Sequence, residues 1–120
     1  MNGCTVLVVD DDSLVRRLVR TVLEADGYEV EEAANGPEGL EAASRSHPDL
    51  MVLDVMMPGM DGIEVCRRLD RQGTKVLMLT ASDDVATEEA GRAAGADQFL
   101  VKPFSPVALL ESIEKLVGPR

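Results

Sequence analysis

Thr5-Val6-Leu7-Val8-Val9-Asp10-Asp11-Asp12 joins an unbroken, β-branched-rich apolar run to three consecutive acids. Such a run reads as a strand buried on both faces, and the carboxyl ends of strands are where open α/β sheets place their sites. Like charges this close repel and raise one another's pKa, so folding alone gives no reason to stack them there. A hard divalent cation with oxygen ligands is the simplest way to offset the repulsion. The junction therefore predicts a metal site on the rim of a parallel sheet.

Outward from this strand, helical and strand patterns alternate along the rest of the chain. Leu14, Val15, Leu18, Val19, Val22 and Leu23 recur at helical spacing, with Arg16, Arg17, Arg20 and Glu24 on the other face and Gly27 as a stop. Tyr28 to Ala33 alternates polar and apolar residues, which marks a half-exposed edge strand. Asn35-Gly36-Pro37 opens a short helix, with Pro37 suited to its first position. Leu50-Met51-Val52-Leu53 and Val76-Leu77-Met78-Leu79 are continuous apolar runs, as central parallel strands require. Between them, Gly62 to Arg71 reads as a helix burying Ile63, Cys66 and Leu69. Ser82-Asp83-Asp84 offers a cap and first-turn acids to a fourth helix, which is rich in Ala, Thr and Glu and carries Gly91. A short strand over Phe99 to Val101 follows, then a helix burying Leu109, Leu110, Ile113, Leu116 and Val117. Regular strand–helix alternation predicts one parallel sheet covered on both faces, an α/β doubly wound fold.

The 120 residues suit a single domain over 1–120, with 45% hydrophobic and 28% charged residues. The net charge of −10 argues against duplex DNA or an anionic membrane as a direct partner, because phosphate binding needs a basic face. No stretch approaches the ~20 apolar residues of a membrane span, and Met1-Asn2-Gly3-Cys4 lacks the features of a signal peptide. A cytoplasmic protein is expected. Cys4 and Cys66 have no metal-type spacing, and Cys66 reads as a buried thiol.

In a parallel sheet the strand ends meet on one rim. Asp10-Asp11-Asp12, Asp54, Thr80-Ala81 and Lys102-Pro103 therefore converge: several carboxylates, a hydroxyl and an ammonium. Two acids can hold a magnesium ion, which keeps waters and favours phosphate oxygens. A third can attack a phosphoryl group, while the hydroxyl and the Lys stabilise the phosphoryl oxygens.

At this point the chain resembles the receiver domain of bacterial two-component response regulators. The likeness rests on Val8-Val9-Asp10-Asp11-Asp12, on Asp54-Val55-Met56-Met57-Pro58-Gly59-Met60-Asp61-Gly62, on Leu79-Thr80-Ala81 and on Gly95 through Phe104, in the family's order and spacing. It implies a flavodoxin-like (βα)5 fold with five strands in the order 2-1-3-4-5. It implies Asp54 as phosphoacceptor, fed by a phosphohistidine of a sensor histidine kinase or a phosphotransfer protein. It implies a Mg2+ site (Mn2+ as a substitute) formed by Asp10, Asp11, Asp54 and the backbone carbonyl of Met56. Thr80, Ala81 and Lys102 would stabilise the phosphoryl group, Thr80 and Phe99 would form the switch, and the Lys102–Pro103 bond would be cis. Met56 and Ser82 occupy the positions that tune dephosphorylation, and neither offers a carboxylate or amide to align water. Output would pass to an attached domain or a target protein. The resemblance also raises a homodimer through the fourth helix, fifth strand and fifth helix, though the last helix carries only Lys115 as a basic residue before Arg120.

Blander roles apply to several residues. Asp12 and Asp61 read as helix caps, His47 as solvated, and Asp49, Glu88 and Glu89 as surface charges that aid solubility. A haloacid-dehalogenase-like phosphatase would need Thr or Val where Leu14 stands, and room for a cap domain. An FMN carrier would need a hydroxyl- and Gly-rich loop after the first strand, where three aspartates would repel the phosphate. A degenerate receiver used only as a binding module would lack Asp54 or Lys102, and both are present.

Overall fold

The computed structural model describes residues 3–81 and 84–118. Strands β1 (Thr5–Val9), β2 (Glu29–Ala33), β3 (Leu50–Asp54), β4 (Lys75–Thr80) and β5 (Gln98–Val101) alternate with α1 (Ser13–Ala25), α2 (Gly36–Ser46), α3 (Gly62–Arg68), α4 (Val85–Ala94) and α5 (Pro106–Val117). The sheet order is β2-β1-β3-β4-β5 and every pairing is parallel.

The three central strands carry no polar–apolar alternation because both of their faces are covered. Their side chains nevertheless divide between two cores. Leu7, Val9, Met51, Leu53, Val76 and Met78 pack with Ala42, Val65 and Cys66 from α2 and α3. Val6, Val8, Leu50, Val52, Leu77 and Leu79 pack with Val19, Leu23, Leu109 and Ile113 from α1 and α5. Each such fully buried Leu, Val or Met contributes about 1.5–3 kcal/mol relative to exposure. The alternating strand at Glu29–Ala33 pairs with β1 alone and is an edge, as its pattern requires.

Several local expectations are corrected. α3 stops at Arg68, not Arg71, because the chain turns extended at Leu69 and Arg71 is drawn into other bonds. Its guanidinium donates to the carbonyls of Thr74 and Gly95 and pairs with Asp97, fastening the lower end of α4 to the start of β4. α3 buries Val65 and Cys66, and Leu69 is buried just past its end, with Ile63 only half-buried. Pro37 is the second residue of α2, whose cap is Asn35. In α5, Leu110, Leu116 and Val117 are half-buried, since the sheet covers only the Leu109–Ile113 stripe. Leu14 and Leu18 of the apolar set on α1 stay exposed. Asp49 is more than a surface charge: it accepts a hydrogen bond from the Thr5 amide at 2.8 Å and so tethers the start of β1. Asp12, Asp61 and Asp84 cap α1, α3 and α4 by accepting from amides one turn ahead. Ser82 and Asp83, also expected near the start of α4, lie outside the described residues. His47 is exposed and ends α2 in the left-handed region.

Candidate functional site

The carboxyl ends of β1 and β3 bring Asp10 and Asp54 side by side. Both are buried, whereas Asp11 on the following loop is exposed. One carboxylate oxygen from each of Asp10, Asp11 and Asp54 lies within 4.8 Å of the others. The backbone makes this possible at Gly62. Its amide donates to the carbonyl of Val55 at 2.9 Å, and a Cβ there would run into the carbonyl oxygen of Asp54. Only glycine lets the loop after β3 fold back over the strand end. The loop's own acid, Asp61, is spent on capping α3.

Lys102, just beyond β5, reaches across the rim. Its Nζ lies 3.0 Å from Asp10 Oδ2 and 3.3 Å from Asp54 Oδ1. Its amide donates to the carbonyl of Thr80 at 2.7 Å, so the Lys and the strand-end hydroxyl residue share one ladder. Thr80 is buried and Ala81 exposed. The bond from Lys102 to Pro103 is cis. Met56 donates its amide to Asp54 Oδ1 at 3.3 Å, while its side chain is 71% exposed.

The electrostatics follow from this crowding. Burial, and next the charge of Asp10, push the Asp54 carboxyl up to about 6 against the opposing pull of Lys102. Burial works against the Lys102 ammonium, but its hydrogen bond to Asp10 and the charges of Asp10 and Asp54 outweigh this and hold its pKa above the ordinary value. Three carboxylates facing one ammonium leave a surplus of negative charge. An all-oxygen donor set with one ligand open to solvent suits Mg2+, which binds through a few carboxylates and retains waters. The residues present therefore fit a divalent cation.

Phe99 on β5 is half-buried and packs against the core under α4. A Cβ on Gly91 would stand 2.8 Å from two of its ring carbons, so α4 and the ring are in close contact. The Arg92 guanidinium sits 5.0 Å from the ring centroid.

Residues 6–114 match the family model described as "Response regulator receiver domain". The chain belongs to that family. Among curated relatives it is 43% identical over 117 residues to the transcriptional regulatory protein ResD of Bacillus subtilis, covering 97% of this chain and 49% of ResD. It is 49% identical over 114 residues to the response regulator MprA of Mycobacterium leprae, covering 93% of this chain and 50% of MprA. The chain thus spans about half the length of these relatives. Among solved structures, the Vibrio cholerae chemotaxis protein CheY4 superposes with a TM-score of 0.92 at 37% identity, covering 96% of this chain and 99% of that one. The sheet order and the family model agree on a receiver domain, and these relatives fit a phosphorylation switch of the two-component type.

Two features of the site were not legible in the sequence. Arg16 and Arg20 of α1 grip Glu32 of β2, at 3.1 and 2.8 Å. Those hydrogen bonds, Arg20 first, hold the Glu32 carboxyl below its usual range. Arg16 also donates to the backbone carbonyl of Asp10 at 2.6 Å. The second feature is an open groove of about 360 Å3 beside Lys102, lined by Val15, Leu18, Pro103 and Phe104. In the sequence Val15 and Leu18 stand only as members of the apolar repeat of α1, and nothing there marks a groove.

Proposed function

We propose that Asp54 is the phosphoacceptor and that a phosphohistidine of a sensor kinase or a phosphotransfer protein is the donor. The observation that carries this is the pairing of Asp54 with Lys102 inside an acidic cluster suited to Mg2+. An oxygen of the ionised Asp54 carboxylate attacks phosphorus as the phosphorus–nitrogen bond breaks, and the imidazole leaves with that electron pair. The product is an acyl phosphate on Asp54. Asp10, Asp11, Asp54 and the Met56 carbonyl would hold Mg2+, which supplies positive charge to offset the phosphoryl oxygens. Lys102 neutralises further charge from its fixed position, and Thr80 with the amide of Ala81 donates to the remaining oxygens.

The new group adds roughly −1.5 to −2 charge beside Asp10 and Asp11. Thr80 and Lys102 gain contacts only in the phosphorylated state. They shift the equilibrium of β5, Phe99 and α4 toward one arrangement, which is read by an output domain or a target protein. The chain works on its own phosphotransfer and dephosphorylation, without turnover of a separate substrate. The groove of Val15, Leu18, Pro103 and Phe104 opens beside Lys102 and suits an apolar helix face of the donor. A homodimer through α4, β5 and α5 is a further reading, in which Val101, 39% exposed, contributes apolar area. Among the described residues no helix is long and apolar enough to cross a membrane. Together with the acidic composition, this supports a cytoplasmic setting in which the phosphodonor, not nucleic acid, contacts this domain.

Incubation with acetyl phosphate, followed by intact-mass measurement, tests the assignment. A magnesium-dependent gain of one phosphoryl group is expected, and it should be absent in Asp54→Asn. A folded wild type that gains nothing would instead be a binding module.

A further inference from the structure

Asp10 and Asp11 are positioned very unequally. Asp10 is held on several sides: its amide donates to the carbonyl of Ala33 at 3.2 Å and Oδ1 accepts from the Asp12 amide at 2.9 Å, while Oδ2, which has no hydrogen bond of good geometry, is ion-paired with Lys102 at 3.0 Å. Its carbonyl oxygen accepts from Arg16 Nη1 at 2.6 Å. The Asp11 carboxylate is exposed and has no hydrogen bond or ion pair among the described residues. Its direction is therefore set by the backbone that carries it, starting with the peptide unit between Asp10 and Asp11. Arg16 holds the oxygen of that peptide unit. The Arg is itself fixed, since Nε pairs with Glu32 at 3.1 Å and Glu32 is braced by Arg20 at 2.8 Å. A planar fork that binds an acid with one nitrogen and a carbonyl with another fixes geometry in a way that a flexible ammonium does not.

We propose that Arg16 is a positioning residue for the metal site, orienting the Asp10–Asp11 peptide so that the Asp11 carboxylate converges with Asp10 and Asp54. The assignment rests on reading those three acids as the ligands of a divalent cation. Outer partners of this kind orient ligands and tune affinity without touching the metal. The sign of the effect separates positioning from charge. Arg16 is a cation near an acidic cluster, so as a charge alone it opposes a second cation, and its removal would tighten Mg2+ binding. As a positioning group, its removal weakens binding.

The experiment is a Mg2+ titration of the full chain, followed by amide NMR shifts, on wild type, Arg16→Gln and Glu32→Gln, with folding checked by circular dichroism. Arg16→Gln is expected to raise the Kd for Mg2+ about ten-fold, the low end of what losing an outer-shell partner costs. Glu32→Gln keeps an oxygen for Arg16 Nε and should stay close to wild type. Unchanged or tighter binding in Arg16→Gln would overturn the proposal. If Arg16→Gln does not fold, Arg16→Lys reads the same contact. Its ammonium cannot span Glu32 and the carbonyl as the fork does, so weaker binding is expected and undiminished affinity is contrary. A folded wild type that itself ignores Mg2+ would overturn the metal reading, and this inference with it.

Discussion

Asp54 lies between two neighbours that act on it in opposite senses: Asp10 raises the cost of its charge and Lys102 lowers it. Burial adds the largest push upward, and under the proposed assignment the pull of Lys102 would keep the carboxylate available as a nucleophile near neutral pH. Met56, two residues on, is the complementary case. It contributes an amide to Asp54 Oδ1 and holds its thioether chain out toward solvent. A thioether can neither accept a proton from water nor fix its orientation, so nothing at this position assists hydrolysis of the acyl phosphate. Met56→Asn is expected to speed phosphate loss on the order of ten-fold, short of what full general-base catalysis supplies. Decay of the phosphoryl adduct, followed by intact mass after the donor is removed, measures it; equal lifetimes would refute the role.

At the scale of elements, α4 buries fewer of its described residues than any other helix. Gly91 is its one fully buried residue among those described, and it is buried because the Phe99 ring occupies the place of a side chain. The lower end of the helix is pinned through Gly95 and Asp97 to Arg71, whereas its upper end begins beside the rim at Asp84. A helix held at one end and in thin apolar contact elsewhere can pivot at low cost. Gly91→Ala sets two effects against each other. Alanine gains about 1 kcal/mol in helix propensity. Forcing a methyl to within 2.8 Å of the ring carbons and 2.9 Å of Met78 Sδ costs about 1–3 kcal/mol unless they shift. Overpacking is expected to win, lowering the thermal midpoint by a few degrees and moving the Phe99 ring resonances. A stabilised variant with an unmoved ring would show that the contact is looser than its geometry indicates.

For the molecule as a whole, the site opposes the fold. Asp54 has an ordinary value of 3.8 and rises to about 6 in the folded, metal-free protein. Between those values the folded state binds more protons than the unfolded chain, so stability falls as pH rises through the window and stays reduced above it. The loss is on the order of 2–3 kcal/mol at most. Asp54→Asn is therefore expected to raise the thermal midpoint at pH 7.5 without Mg2+, and the gain should shrink as the pH approaches 4. Thermal denaturation across that range checks it, and a gain independent of pH would locate the effect elsewhere. Saturating Mg2+ should remove much of the difference by stabilising the wild type.

The sequence by itself determined the sheet, its covering helices and the identity of the acids on the rim. Local pattern suffices there, because a strand buried on both faces must be apolar throughout and strand ends in a parallel sheet share an edge. It also located the caps at Asp12 and Asp61, since capping is a bond to the next turn. Tertiary structure decided the rest. The end of α3 at Arg68 depends on a carbonyl and an acid that Arg71 finds more than twenty residues away. The exposure of Leu14 and Leu18 depends on how much of α1 its neighbours cover. The grip of Arg16 on the Asp10 carbonyl depends on Glu32 arriving from β2. Periodicity reports which face of an element is apolar; only the packed chain fixes which distant groups meet it.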